Sequence, residues 1–314
     1  MKALAVDLGG THATCALVED RTVVAARTLA TDGSKELAPV LPRLAETLLA
    51  FTREAAIKSS DCAGLAFGFC GLVDHDNARV ISTNAKYDDA PGLDLRAWCK
   101  GSLGVRFEIE NDARMALLGE SYAGAARGFD DIVMVTLGTG IGGAAMIRGR
   151  LLRGKHGQAG CLGGHFPVVL NGRKCTCGAI GCAEAEASGW SLPAVCREMP
   201  GFASSALSNG DPITFERVFD SAAAGDQVAL MVGDRCLAVW GTAVVGLIHA
   251  YDPEVFVLGG GVMKSASLIL PHLQDHANRF AWTPWGKVRL RSAELGDQAA
   301  LLGAIPLLQG RDDS

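Results

Sequence analysis

Four side chains of the kinds that bind zinc fall within one short segment, residues 163–188. They are His165, Cys175, Cys177 and Cys182. An imidazole and three thiolates complete a tetrahedral zinc site, and a site closed by four protein ligands is structural rather than catalytic. Three buried thiols and a solvated histidine are the alternative, but these cysteines stand among polar residues, whereas a free cysteine behaves as a small apolar residue. Cys161 is close enough in sequence to compete as a ligand. The pattern predicts one structural Zn²⁺ in the loop 164–184.

Composition narrows the class of protein. The chain has 314 residues, enough for two domains, because single hydrophobic cores stop growing at roughly 250–300 residues. A formal net charge of −5 and the lack of a long basic run argue against nucleic acid as a partner. Ten cysteines without a secretory signal indicate metal binding in a reducing cytoplasm. The most apolar stretch, residues 236–250, is expected to be a buried helix, since a membrane span needs about 20 residues. We expect a cytoplasmic protein that acts on a small molecule, with no membrane partner.

A glycine-rich turn follows the first apolar run of the chain. Residues 4–7 form this run, and strand character resumes at residues 14–18, which is the pattern of a β-hairpin. The turn carries Asp7, Gly9, Gly10 and Thr11. Bare backbone N–H groups can approach a phosphate, and a carboxylate can hold Mg²⁺ through water. Taken alone, the motif is also compatible with an ordinary tight turn.

Two later turns repeat this chemistry. The run at residues 132–136 leads into Gly138, Thr139 and Gly140, and the run at residues 255–258 leads into a glycine triplet that includes Gly260. Two phosphate turns are what a protein needs to bind a polyphosphate from both sides, one from each lobe. The third turn suits the close approach of a nucleotide, because glycine has no side chain in the way.

A third kind of motif places carboxylates at the start of a helix. The run at residues 105–109 leads into Glu110, Asn111 and Asp112, where a helical pattern begins with apolar residues at 115, 118 and 122. Carboxylates at a helix start are commonly caps. The functional alternative is that Asp112 is a general base at the end of a strand. Other segments with clear patterns are the helices at 41–56, 226–251 and 296–308 and the buried strand at 64–73.

Together the motifs resemble the ROK family of sugar kinases over nearly the whole chain. The matching segments are D-L-G-G-T at 7–11 and T-L-G-T-G-I-G-G at 136–143 for the two phosphate motifs, E-N-D-A at 110–113 for the catalytic motif, C-x-C-G-x-x-G-C-x-E at 175–184 for the zinc signature, and L-G-G-G-V at 258–262 for the adenosine loop. The resemblance implies an α/β, two-lobed, actin-like ATPase (ribonuclease H-like) fold with a zinc-binding loop. It also implies a homodimer and a small N-terminal lobe, residues 1–113, joined by the C-terminal helix at about 298–314. The large lobe would comprise residues 114–297.

The resemblance further implies ATP-dependent transfer of a phosphoryl group to a hydroxyl of a hexose or hexose derivative, expected to be the 6-OH. Asp112 would be the general base. The sugar would be bound by Asn84, Asn111, Asp112, His165 and Glu184. His165 would bind sugar and zinc through its two ring nitrogens. ATP and Mg²⁺ would be bound by Asp7, Gly9, Gly10, Thr11, Gly138, Thr139, Gly140 and Gly260.

Three positions depart from the family pattern. Cys70 stands where the family usually has proline, and Arg114 stands where asparagine is frequent. The third departure is A-G-C-L-G-G-H at 159–165, where the family generally has A-G-E-x-G-H. Cys161 or Leu162 thus replaces an acidic sugar ligand, and one glycine is added.

The missing acid has two consequences for function. Apolar sites discriminate between sugars less well than sites that bind each hydroxyl, so we expect glucose to be a poor or moderate substrate and the specificity to be broad. The loss also leaves open a non-catalytic sugar-binding or regulatory relative of the family. A repressor of the family would need a helix-turn-helix ahead of Asp7, and we expect none, because Asp7 follows shortly after Met1.

Overall fold

A computed structural model of the chain describes residues 1–31, 35–83 and 86–310. Asn84, a predicted sugar ligand, therefore lies outside the described residues. The fold divides into two compact units. The first unit comprises residues 1–129, 148–161 and 294–314, and the second comprises residues 130–147 and 162–293.

Strands and helices alternate along the chain in an α/β arrangement. The strands are β1 (Lys2–Leu8), β2 (His12–Glu19), β3 (Thr22–Ala30), β4 (Leu65–Phe69), β5 (Leu72–Asp74), β6 (Arg79–Ser82), β7 (Phe107–Asn111), β8 (Ile132–Leu137), β9 (Ile141–Ile147), β10 (Arg150–Leu151), β11 (Val255–Gly259) and β12 (Arg289–Ser292). The helices are α1 (Leu41–Glu54), α2 (Leu95–Ser102), α3 (Asp112–Ala123), α4 (Ala183–Ala187), α5 (Leu192–Arg197), α6 (Phe215–Ala223), α7 (Gln227–Tyr251), α8 (Ala266–Phe280), α9 (Ala299–Leu302) and α10 (Ala304–Gln309).

The sheet of the first unit has the strand order β3-β2-β1-β4-β7. Strands β1, β2 and β3 pair antiparallel, whereas β1, β4 and β7 run parallel. The register aligns Leu8 with Phe69 and Phe69 with Asn111, so the three parallel strands end at one edge of the sheet. In open α/β sheets ligands bind at the carboxyl ends of the strands. The first glycine turn and the Glu110-Asn111-Asp112 motif both leave the sheet at this edge.

The sheet of the second unit repeats this layout. Strand β9 pairs antiparallel with β8, and β11 runs parallel to both β8 and β12. The resulting order β9-β8-β11-β12 has the same directions as β2-β1-β4-β7 in the first unit. Gly259 aligns with Thr136, so the second and third glycine turns follow the carboxyl ends of two neighbouring parallel strands.

The division into units differs from the predicted lobes. Residues 114–129, 148–161 and 294–297 belong to the first unit, not to a large lobe of 114–297, and the two units are of similar size. The cause is packing, because α3 continues directly from β7 and the C-terminal helices α9 and α10 pack on α3 and β1. The sequence patterns indicate where helices begin, but they do not reveal which sheet each helix covers.

Helix α7 is longer than the apolar stretch that was predicted to be a buried helix. The apolar stretch 236–250 is part of a helix of 25 residues that is long and apolar enough, by length and composition, to cross a membrane. Its length therefore does not exclude a membrane span, as the sequence argument assumed. In its most apolar window 56% of the residues are buried within the fold, which is also true of core helices in water-soluble domains. Trp240, Val244 and Leu247 are among the buried side chains of this helix.

A buried ionic network lies beneath the start of α3. The Glu110 carboxylate is 0% exposed and contacts Arg114 Nη1 at 3.2 Å and Arg153 Nε at 2.7 Å. The Arg114 Nη2 atom donates to the carbonyl oxygens of Leu152, Gly157 and Ala159 at 3.1, 3.1 and 2.6 Å. Burial tends to raise the pKa of Glu110, but the two guanidinium groups and the Asn111 N–H outweigh it and the pKa is lowered. The network ties the segment 152–159 to the end of β7.

Removing the charge of Glu110 should destabilise the protein strongly. Glu110→Gln leaves the buried Arg114 guanidinium without its carboxylate, and breaking a buried ion pair in this way costs about 3–5 kcal/mol. Glu54→Gln is the matched control, because Glu54 and its partner Arg27 are 59% and 49% exposed and such pairs contribute about 0–1 kcal/mol. The measurement is the free energy of unfolding in denaturant at pH 7.

The same pair of variants has a pH signature. The pKa of Glu110 is lowered in the folded protein, so its contribution is complete above the ordinary carboxyl pKa and is lost on acidification. The difference between wild type and Glu110→Gln should therefore shrink as the pH falls. Equal losses for Glu110→Gln and Glu54→Gln at pH 7 would contradict the assigned role of the network.

Candidate active site

Asp112 is the first residue of α3, at the carboxyl end of β7. Its Oδ1 atom accepts hydrogen bonds from Asn111 Nδ2 at 2.9 Å and from Ala113 N at 2.8 Å. Its Oδ2 atom has no hydrogen-bond partner among residues 1–31, 35–83 and 86–310. Burial raises the pKa of Asp112 to about 6, although the hydrogen bonds to its carboxylate act in the opposite direction. A carboxylate with one free oxygen and a pKa near neutrality is suited to accept a proton.

Asn111 is the N-cap of helix α3. The sequence left open whether the carboxylate of Asp112 is a helix cap or a general base, and the cap is supplied by the neighbouring residue. Its Oδ1 atom accepts from Ala113 N at 3.1 Å and from Arg114 N at 3.3 Å. Its Nδ2 group donates to Gly71 O at 3.1 Å as well as to Asp112. An amide side chain has two donors and two acceptor positions, so all of them are used within the protein. Asn111 therefore positions Asp112, and a direct bond to a sugar would require one of these bonds to break.

The first glycine turn is a closed hairpin turn between β1 and β2. Gly9 N donates to His12 O at 2.9 Å, and the Thr11 hydroxyl lies 2.9 Å from His12 Nδ1. Asp7 stands at the end of β1. Burial, followed by the charges of Asp112 and Asp297, raises the pKa of Asp7 to about 7. Asp7 and Asp112, which the sequence assigned to separate motifs, thus influence each other within the first unit.

A buried tyrosine that the sequence interpretation missed supports this turn. Tyr87 is 0% exposed, and its hydroxyl donates to Gly9 O at 2.8 Å and lies 3.0 Å from the Thr31 hydroxyl. The contact joins residues 78 positions apart in the chain, so no local pattern indicates it. The one sequence signal for Tyr87 is its position three residues after the predicted sugar ligand Asn84.

The second glycine turn is held by the segment that follows the zinc signature. Gly189 N donates to Gly138 O and Trp190 N donates to Thr139 O, both at 2.9 Å. Glu184 accepts from Ile141 N at 2.8 Å and from Trp190 Nε1 at 3.3 Å. The predicted sugar ligand Glu184 thus already contacts the phosphate turn. The sequence did not indicate this contact between Glu184 and the second glycine turn.

The remaining residues of the second unit that the sequence predicts to bind nucleotide lie at the same sheet edge. Gly260 follows β11 with a φ of +87°, and a Cβ at this position would lie 2.3 Å from Leu137 O. Only glycine fits this approach. A Cβ added to Gly138 would meet no other atom within 4 Å, so the side-chain position of that residue is open, while its N–H donates to Gly140 O at 3.0 Å.

The four predicted zinc ligands come together in the second unit. The ligand atoms of His165, Cys175, Cys177 and Cys182 all lie within 4.8 Å of one another. Cys175 Sγ is 3.5 Å from His165 Nδ1, and Cys177 Sγ is 3.7 Å from Cys182 Sγ. Tetrahedral coordination with Zn–S bonds of about 2.3 Å separates two sulfur atoms by about 3.8 Å, so the donor set fits Zn²⁺. The Nδ1 atom of His165 faces the thiols, which leaves Nε2 for another partner.

The departure at residues 159–165 provides no acidic ligand. The Cys161 thiol is buried and faces Gln158 O at 3.4 Å and Gly157 O at 3.6 Å. Glu186, the nearby carboxylate that could have replaced the missing acid, is 0% exposed and is bound by Arg173 and Arg235. Gln158, a second polar side chain near this segment, is exposed. The structure therefore removes Glu186 as a substitute sugar ligand.

Comparison with known proteins identifies the family. The model of the ROK family matches residues 3–311. The glucokinase of Thermotoga maritima is 32% identical over 99% of this chain and 98% of its own length. A ROK family glucokinase from Streptomyces griseus, solved in complex with glucose and AMPPNP, is 28% identical with a TM-score of 0.78, and the match covers 98% of this chain and 99% of that chain.

A second solved structure agrees. The ROK hexokinase of Thermus thermophilus is 30% identical with a TM-score of 0.78, and the match covers 98% of this chain and 97% of that chain. The α/β fold predicted from the motifs is therefore confirmed as that of the ROK kinases. With the family model matching almost every residue, the chain belongs to the ROK family.

Proposed function

We propose that the protein is an ATP-dependent carbohydrate kinase that phosphorylates a hexose or hexose derivative, at the 6-OH, with Asp112 as the general base. The observation that carries the proposal is the geometry of Asp112, whose Oδ1 is fixed by two hydrogen bonds while Oδ2 has no partner in the described chain. The glucokinase and hexokinase relatives support the same reaction. Asp112 accepts the hydroxyl proton as the sugar oxygen attacks the γ-phosphorus and the bond to the β-phosphate oxygen breaks.

The other site residues bind and orient the reactants. Backbone N–H groups of the two glycine turns, within Gly9–Thr11 and Gly138–Gly140, bind phosphate oxygens, and Gly260 lies near the adenosine. The Gly9 and Gly138 N–H groups close their own turns, so the other residues of each turn supply the donors. Asp7 would hold Mg²⁺, and the ion would neutralise phosphate charge when it is bound with ATP. His165 and Glu184 bind sugar hydroxyls, and the same assignment is proposed for Asn84. Phosphoryl transfer needs mainly positioning and electrostatic stabilisation, which such groups provide.

The remaining assignments concern the protein as a whole. We infer a structural Zn²⁺ at the Cys/His cluster, supported by the fit of its donor atoms. A cytoplasmic homodimer is supported by the resemblance to the family. The second unit also exposes large aromatic side chains, with Trp282 80% and Trp285 59% exposed, and such surfaces are often covered by a partner.

A non-catalytic sugar-binding or regulatory role is the second candidate. It is favoured by one observation, which is that neither Cys161 nor Leu162 supplies the acidic sugar ligand of the family. A turnover assay with ATP and a panel of hexoses separates the two functions. Sugar binding without phosphate transfer to any hexose, ketose or amino sugar would favour the second.

Loss of the proposed base should reduce turnover with little effect on binding. Asp112→Asn should lower kcat by about 10²–10⁴ and leave the KM values for sugar and ATP within a few fold. The raised pKa of Asp112 means that the buried charge destabilises the folded protein at pH 7, so the variant should unfold at the same or a higher temperature. In the wild type kcat/KM should fall as the pH drops below about 6. Near-normal turnover of Asp112→Asn would reject the role.

Removal of one zinc thiolate should release the metal and destabilise the protein. Cys177→Ser should lower both the zinc content, measured by mass spectrometry, and the melting temperature, because the free energy of metal binding at a structural site is also folding free energy. Cys161→Ser is the matched control and should keep one zinc per chain, since that thiol faces backbone carbonyls. Purified wild-type protein that folds without zinc would refute the assignment.

The substrate range should reflect the missing acid. A charged acceptor to a sugar hydroxyl is worth about 1.5–3 kcal/mol, so wild-type kcat/KM should discriminate poorly between glucose and its epimers. Leu162→Glu should sharpen the discrimination by about tenfold or more. Leu170→Glu, at a position that is 92% exposed, is the control and should leave the panel unchanged. A wild type with strong preference for glucose would overturn the expectation and direct attention to Gln158.

A further inference from the structure

The side chain of Lys86 lies across the first glycine turn. A Cβ built on Gly10 would lie 2.0 Å from Lys86 Nζ and 2.9 Å from both Lys86 Cδ and Cε. A larger residue at position 10 would have to displace the end of this lysine, so the ammonium group lies directly beside the turn. Lys86 is partly buried, and within the described residues its ammonium group has neither a hydrogen bond nor an ion pair.

The neighbouring residue holds Lys86 at this place. Tyr87 has a φ of +59°, a conformation that is uncommon for a side chain of its size. Its ring is fully buried, and its hydroxyl bonds to Gly9 O and the Thr31 hydroxyl fix it to the same turn. The Tyr87 contacts thus fix the backbone from which the Lys86 side chain extends beside the first glycine turn.

Acidic side chains surround the first glycine turn. Asp7 is close enough to Asp112 and Asp297 for both charges to raise its pKa. Several carboxyl groups therefore lie near the first glycine turn. The Cys70 thiol stays protonated, because burial raises its pKa to about 12, and it is influenced by Asp112, Lys86 and Asp7 together. A phosphate entering this region meets like charges. Lys86 is the basic side chain that the described part of the chain places against Gly10.

We propose that Lys86 is a phosphate-binding residue, whose ε-ammonium group contacts the phosphoryl group undergoing transfer at the Gly9–Gly10 turn. The inference rests on the proposed kinase function. In the transfer the γ-phosphoryl group moves from the β-phosphate oxygen to the sugar oxygen, and the hydroxyl proton passes to Asp112. Lys86 neither gains nor loses a proton. Its positive charge stabilises the negative charge on the oxygens of the phosphoryl group during transfer. The lysine of a P-loop has the same role.

Lys86→Met tests the contact, because it keeps the length of the stem and removes the charge. Loss of one preorganised donor to a transition state costs about 10²–10³ in kcat, and we expect a loss of that order with the sugar KM within threefold. Lys86→Arg, which keeps the charge, should recover part of the rate. Lys100→Met, on the exposed face of α2, is the matched control and should behave as wild type.

A binding measurement keeps the test independent of turnover. Calorimetric titration with AMPPNP and Mg²⁺ should show at least a tenfold weaker affinity for Lys86→Met than for wild type, and Lys86→Gln serves if the methionine variant fails to fold. A kcat and an AMPPNP affinity both within threefold of wild type would overturn the proposal, as would a rise in the sugar KM alone. If the wild type transfers no phosphate to any sugar, the kinase function fails, while the AMPPNP titration still decides whether Lys86 binds phosphate.

Discussion

The buried carboxylate of Glu110 fixes the region from which the candidate base emerges. A charge that is removed from water costs several kcal/mol, and it is tolerated only when partners surround it. Arg114, Arg153 and the Asn111 N–H supply those partners. The same Arg114 guanidinium reaches three carbonyl oxygens of the segment 152–159. The end of β7 and the segment that leads to Cys161 are therefore held as one piece, and the departure from asparagine to arginine at position 114 acquires a physical reason.

The sheets of the two units share one strand order. In each, an antiparallel hairpin adjoins parallel strands, and the hairpin turn is rich in glycine at the point where the first strand ends. In each turn one glycine N–H closes the turn, that of Gly9 onto His12 O and that of Gly138 onto Gly140 O, and the paired strands on both sides restrain it. Rigid donors lose little conformational entropy when a ligand binds, which favours affinity. The duplicated order is not visible as sequence identity, because only the glycines and strand patterns are shared.

Local sequence patterns sufficed for the parts of the site that are contiguous in the chain. The hairpin around Gly9, the strand-to-helix junction at Asp112 and the Cys/His cluster each follow from spacing, and the structure brings those residues together as the spacing implies. Contacts between segments that are distant in the chain could not be predicted from local patterns. Neither Tyr87 beneath Gly9 nor Lys86 across Gly10 belongs to a motif, since the chain must close more than seventy residues before they meet.

The role of Asn111 and the division into units show the same limit. Sequence suggested a sugar ligand, but the four hydrogen bonds of the Asn111 amide depend on where Gly71 O and the start of α3 lie in space. The bounds of the compact units differ from the predicted lobes because packing of α9 on α3, and not the chain order, decides which unit a helix joins.

The contacts of Glu184 have a consequence for how binding energy is shared. One carboxylate oxygen is engaged by Ile141 N beside the second glycine turn, and the other by the Trp190 indole. Under the proposed assignments, a sugar hydroxyl bound to Glu184 would compete for an acceptor that already contacts the second glycine turn. Sugar occupancy and the order of that turn would then be thermodynamically linked, so that a change in free energy at Glu184 would act on the binding of both ligands.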